Sequence, residues 1–309
     1  MGALTPIARP AWLPPDRWPF QVSALATPAG RIAVTDVGSG PTLLLVHVGS
    51  WSFIWRDLLL HLGRHYRCVA FDPPGSGMST QPPVPVSLQG AADAVGAVID
   101  ALDLREITLV IHDVGGPAGL AAAAARPDRV VGLVALNALG WPPSGAPLRL
   151  MLAVMGSAPA RASGAFLGWA ARLSASTFGV GRHWDRGDRA VFLAGMNRHA
   201  RRNTHRYINT LRRETELLQR VHAALRDPLA GLPLLTVFGS RNDPFGFGPR
   251  WKQLFPDAEQ HVIAGGNHYP MGDDPIAVAN WIRTWHTKNV AQRSPAQPRN
   301  DTAATSQGG

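Results

Sequence analysis

Val110-Ile111-His112-Asp113-Val114-Gly115-Gly116-Pro117-Ala118-Gly119 is the stretch on which the fold turns. It opens inside Ile107–His112, a short apolar run of strand character. It closes inside Gly115–Ala125, a run of small, alanine-rich residues that favours helix. The chain must turn sharply between the two, and the residue at the corner is Asp113.

Outward from that corner the pattern repeats. Arg31–Val37 alternates and ends in the turn cluster Gly38-Ser39-Gly40-Pro41, so it reads as a hairpin strand. Thr42–His47 is a fully apolar strand, Phe53–Leu62 is helical, and Tyr66–Phe71 is again a strand. Leu88–Leu102 is an amphipathic helix and Val130–Asn137 another strand. Strands buried on both faces and alternating with helices predict an α/β fold with a mostly parallel, doubly wound sheet. The alternation stops at Trp141 and resumes at Pro233–Phe238, Gln260–Ile263 and the helix Ile276–His286. The division expected is an irregular arm over 1–20, an α/β core over 21–140 and 227–287, a helical insertion over 141–226, and a disordered tail over 288–309.

The 309 residues carry a formal charge of +9, almost wholly from arginine, with Lys252 and Lys288 the only lysines. Many arginines fall on predicted helices between Arg182 and Arg226 with few aromatics between them. That reads as a solvated helix face rather than a nucleic-acid footprint, with electrostatic steering of acidic substrates the remaining alternative. No apolar run reaches the roughly 18 residues of a membrane span. The N-terminal stretch lacks the order of a signal peptide. The expectation is a cytoplasmic protein with no membrane and no nucleic-acid partner, its oligomeric state open. The single cysteine, Cys68, lies on a predicted strand and reads as a core residue. No metal-ligand cluster and no phosphate-cradling loop is apparent, so no metal and no cofactor are expected.

Ligands of open parallel sheets bind at the carboxyl ends of the strands. Three polar residues follow strands there: Asp113, then Asp243 in Ser240-Arg241-Asn242-Asp243-Pro244, then His268 in Gly265-Gly266-Asn267-His268-Tyr269-Pro270. A nucleophile, an acid and a histidine in that chain order suit a catalytic triad in which the acid orients the imidazole.

Residues 30–286 resemble the α/β-hydrolase fold, with the segment 141–226 as its helical cap. The likeness is greatest to the branch of haloalkane dehalogenases, fluoroacetate dehalogenase and epoxide hydrolases. His112-Asp113-Val114-Gly115-Gly116-Pro117 resembles that branch's His-Asp-Trp-Gly-Gly elbow. Phe71-Asp72-Pro73-Pro74-Gly75-Ser76-Gly77 resembles its loop after the fourth core strand, and Trp55-Arg56 sits as in the dehalogenases' first helix. The resemblance implies that Asp113 attacks a saturated carbon to give an alkyl-enzyme ester, which water activated by His268 then hydrolyses. It implies an oxyanion hole from the Val48 and Val114 amides. The substrate is then a small, largely apolar molecule, and water is the second reactant.

Two departures bear on the substrate. The dehalogenases' halide-holding tryptophan after the nucleophile is Val114 here, which has no donor. Their His-Gly-Asn-Pro turn reads His47-Val48-Gly49-Ser50. Trp51, or Trp169 or Trp184 of the cap, are the substitutes, and Tyr207 is the cap tyrosine placed to protonate an epoxide oxygen. Trp51 and Tyr207 are therefore the expected substrate-binding residues, with epoxide opening ahead of carbon–halogen cleavage. An esterase or lactonase on the same triad, and a non-catalytic small-ligand binder of the same fold, are the alternatives.

Overall fold

The computed structural model describes residues 4–292. Its strands there are β1 (Thr5–Pro6), β2 (Ser23–Thr27), β3 (Gly30–Val37), β4 (Thr42–Val46), β5 (Arg67–Phe71), β6 (Ile107–His112), β7 (Val130–Leu136), β8 (Leu234–Gly239) and β9 (Glu259–Ile263). They form one sheet in the order β1-β2-β3-β5-β4-β6-β7-β8-β9. The first three strands and the β3–β5 pair are antiparallel; every pairing from β5 through β9 is parallel. Parallel neighbours need crossovers, and helices supply them. They are α1 (Arg56–Leu62), α2 (Leu88–Ala101), α3 (Gly115–Ala124), α4 (Ala146–Met155), α5 (Ala158–Leu167), α6 (Trp169–Ser174), α7 (Arg186–Gly195), α8 (Arg198–Arg213), α9 (Thr215–Ala224), α10 (Phe247–Leu254), α11 (Pro270–Asp273) and α12 (Pro275–His286).

The uniformly apolar strands are buried on both faces because the pleat divides their side chains between two cores. Leu44, Val46, Leu109 and Ile111 enter one, and Leu43, Leu45 and Val110 the other. Cys68 belongs to the second; burial and the nearby Asp36 push its thiol up to about 12, so it stays protonated. The turn out of β6 depends on Gly115 and Gly116. A Cβ at Gly115 would lie 2.6 Å from the Val46 carbonyl oxygen, and one at Gly116 2.4 Å from that of Leu139. The first turn of α3 is thereby held against the ends of two neighbouring segments.

Helices α4 to α9 occupy the chain between β7 and β8, where strand signals were missing. The N-terminal arm is less irregular than expected. Thr5–Pro6 pairs with β2, Arg9 donates to the Trp18 and Phe20 carbonyls, and Leu13 and Trp18 are buried. Arm, core and inserted helices meet at Asp188 of α7, a buried carboxylate bound by Arg17 and Arg56. At the other end the expected disorder begins too early. Residues 287–291 continue beyond α12 as a helical turn with Val290 buried, and residues 293–309 lie outside those described.

Candidate active site

Two strands end on residues in the left-handed region, Asp113 after β6 (φ +48°) and Asn137 after β7 (φ +41°). Such a backbone costs a non-glycine residue about 1–3 kcal/mol and persists only where its surroundings enforce it. Here each turn lifts a polar side chain to the carboxyl end of the sheet. The Asp113 carboxylate reaches the His268 imidazole, with Oδ2 3.5 Å from Nε2, and each side chain is about one third exposed, at 31% and 32%. Burial pushes the Asp113 carboxyl up. The charge and hydrogen bond of His268, with the Val114 amide, outweigh it and hold the group below the usual carboxylate range.

His268 is fixed through its backbone. Its carbonyl oxygen accepts from Asn137 Nδ2 at 2.8 Å and faces His112 Nε2 at 2.9 Å. A carbonyl only accepts, so His112 carries its proton on Nε2, and its Nδ1 accepts from His47 Nδ1 at 2.9 Å. Both rings are neutral: burial and the neighbouring His268 push His47 down to about 3 and His112 well below its ordinary value. His47, His112 and Asn137 were not among the sequence candidates. A histidine ending an otherwise apolar strand and an asparagine ending the next were the available signals.

The acid expected at Asp243 is not where the triad needs it. Its two carboxylate oxygens accept from the Phe247 and Gly248 amides, at 2.6 and 2.8 Å, and so cap the start of α10. The group facing His268 Nδ1 is the side chain of Asn242, with Nδ2 at 3.0 Å. A neutral amide stands where a carboxylate was expected, because free helix-end amides hold the neighbouring carboxylate.

Both expected substrate-binding residues are also placed elsewhere. Trp51 is buried among Trp12, Trp18 and Phe53, and its indole N–H donates to the Phe192 carbonyl at 3.0 Å. Tyr207 is fully buried on α8 and donates to the Pro74 carbonyl at 3.1 Å. Burying those two large side chains required a partner for each polar atom, and a backbone carbonyl supplied it. Tyr269 is the tyrosine at the site. It follows His268, packs on the His112 ring, and its hydroxyl lies 3.1 Å from Ser174 Oγ of α6. Burial pushes its phenol up to about 12, against the Ser174 hydrogen bond and with the Asp113 charge adding to the rise.

Of the expected oxyanion-hole residues, Val114 has its amide on the Asp113 carboxylate, and Val48 lies buried in the loop after β4. That loop is held from two sides. Asp72 accepts from the Ser52 amide and hydroxyl at 2.8 and 2.6 Å, and Thr204 of α8 donates to the Gly49 carbonyl at 2.6 Å. Among the described residues no three metal-ligating side chains come together.

Comparison with known proteins bears on the fold. The family model for the alpha/beta hydrolase fold matches residues 41–275. A cis-3-alkyl-4-alkyloxetan-2-one decarboxylase of Shewanella oneidensis is 29% identical over 300 residues, covering 91% of this chain and 92% of its own. Haloalkane dehalogenase 2 of Mycobacterium bovis is 28% identical over 279 residues, covering 86% and 94%. The solved structure of the epoxide hydrolase CorEH without ligand superposes with a TM-score of 0.73 at 20% identity, covering 86% of this chain and 98% of its own.

Proposed function

This chain belongs to the α/β-hydrolase fold family, and on that footing we propose a hydrolase whose nucleophile is Asp113. It attacks a saturated carbon of a strained cyclic C–O electrophile, in the first place an epoxide. The observation that carries this reading is a carboxylate at the strand–helix corner, partly exposed and in reach of His268 Nε2. A carboxylate attacking an ordinary ester would give an anhydride, whereas attack on carbon gives a stable ester and releases the ring oxygen. Water then gives a proton to His268 Nε2 and adds to the Asp113 ester carbonyl, with the Val48 and Val114 amides as oxyanion donors. Collapse releases the diol and restores the carboxylate.

Leaving-group chemistry favours the ring over the halide. Halide capture by indole N–H groups finds little here: Val114 has none, Trp51's is held by Phe192, and Trp169's reaches Ser163. Trp184 keeps an unbonded N–H but packs against Phe53 and Phe192. A ring oxygen stays tethered and requires only a proton, for which Tyr269 replaces Tyr207 as the candidate donor. Tyr269→Phe is expected to lower epoxide turnover about 10²-fold or more with the thermal midpoint little changed. An equal loss of stability and activity would remove Tyr269 from the chemistry.

The relative named for oxetan-2-one decarboxylation favours a second reading, a four-membered lactone opened at its saturated carbon. Its leaving group is a carboxylate, which needs no donor, so Tyr269→Phe would spare that substrate. The decisive experiment is His268→Gln incubated with epoxides, oxetan-2-ones and haloalkanes, followed by the mass of the Asp113 peptide. An adduct from a cyclic substrate is expected. No adduct from any compound, with no diol released by the unaltered protein, ends the proposal.

A further inference from the structure

We propose that the outer face of α4, α5 and α6 docks on an anionic lipid surface. Of the eleven large hydrophobic side chains exposed among the described residues, seven are Leu150, Met151, Val154, Phe166, Leu167, Leu173 and Phe178. Their concentration within one short segment is what a monomer's scattered surface apolar residues do not show. Helical spacing gathers them: Leu150 and Val154 form one stripe, Phe166 and Leu167 lie at the end of the next helix. Leu148 and Leu152 are buried on the opposite side of α4, as are Gly164 and Ala165 of α5. Both helices pack on α8, so the exposed stripes point away from the body. Neither helix alone is long and apolar enough to cross a membrane, and the pair, which by length and composition together would be, is bent by 54° between its halves. The face can lie on a bilayer rather than span it.

Charge selects the occupant. No Asp or Glu occurs between Asp128 and Asp185, while Arg149, Arg161 and Arg172 stand on these same three helices. Behind them α8 adds Arg201, which packs at Gly168 between α5 and α6, and Arg202 and Arg206, whose charges are felt alongside Arg161. The two carboxylates of α7 and its cap, Asp185 and Asp188, are bound by Arg17 and Arg56. A second copy of the chain would bring arginine against arginine. An ordered protein partner would find few hydroxyls to read, because Ser157, Ser163, Ser174 and Ser176 are bonded inside the fold. Apolar tails under anionic heads match both halves of the face. Ser174 of α6 is bonded to the Tyr269 hydroxyl, so one of the three helices that carry the face also touches the candidate site.

Flotation of the full chain with vesicles tests this. Binding is expected with phosphatidylcholine mixed with phosphatidylglycerol, weak binding with phosphatidylcholine alone, and release as salt is raised. Replacing Phe166, Leu167 and Phe178 together by Ser is expected to weaken partition at least roughly tenfold with the circular dichroism spectrum unchanged. Absence of binding to the anionic vesicles, or equal binding by the folded triple variant, overturns the proposal. So does self-association of the unaltered chain that the triple substitution abolishes, which would assign the face to a second copy.

Discussion

Asp113→Ala is expected to abolish turnover, by on the order of 10⁴-fold or more, and His268→Gln to shift the acid limit of ester formation to higher pH. The second effect follows from opposing forces on one carboxyl group. Burial raises its pKa, and His268 is foremost among the groups that bring it below the usual range. An Asp held low is ionised, and so nucleophilic, down to pH values at which an ordinary carboxyl of pKa about 3.9 would be half protonated. Removing His268 leaves burial opposed only by the lesser influences of His112 and the Val114 amide. The carboxylate must then be reached by raising the pH. Quench-flow mass spectrometry of the Asp113 peptide across acidic pH measures both limbs. The His268→Gln limb should lie above that of the unaltered protein; coincident limbs would show that the imidazole does not control the nucleophile's charge.

The parts of this site that were legible in the sequence are those written in local pattern. Ile107–His112 is a strand over the residues its apolar run marks, and the corner falls on Asp113 because the small residues after it admit no other place for the turn. His268 was legible from its position after the last strand. What was not legible depends on which way a side chain turns. Tyr207 shares a stripe with Ala200, Asn203 and Leu211 that α8 buries, and a helix so rich in arginine gave little sign of which face was covered. Trp51 is drawn into an aromatic cluster with the N-terminal arm, a contact between segments far apart in the chain. Helix α10 begins at Phe247-Gly248-Pro249, an opening that reads as loop, so the free amides that bind Asp243 could not be anticipated. The exposed face of α4 to α6 was hidden for the same reason: composition gives the apolar residues but not the side that packs.

Exchanging the roles of Asn242 and Asp243 separates the sequence reading of the acid from the structural one. Asp243→Ala is expected to cost about 0.5–2 kcal/mol of stability through the lost helix cap and to leave decay of the Asp113 ester nearly unchanged. Asn242→Ala should slow that decay roughly tenfold, the worth of one hydrogen bond that orients the imidazole. Asn242→Asp should do the opposite. For Nε2 to take a proton from water, Nδ1 must carry one, and the imidazolium that forms needs compensation. The Asn242 amide can meet that Nδ1–H only with its oxygen turned toward the ring in place of Nδ2, and its neutral side chain cannot balance the new charge. A carboxylate at 242 would do both, 3.0 Å being already within hydrogen-bond reach of Nδ1. Acceleration on the order of 10²-fold or more is expected in single-turnover ester decay, while formation of the ester, which precedes the transfer of a proton from water to His268, changes little. Should Asp243→Ala instead stop ester decay in a folded protein while Asn242→Ala leaves it intact, the carboxylate at 243 is the working partner and the amide is a spectator. If neither position moves the decay, His268 acts without an orienting side chain. With the amide at 242 as the partner the second step is slow, so that the protein accumulates its ester during turnover and shows a burst of epoxide consumption, not of released diol, before the steady state.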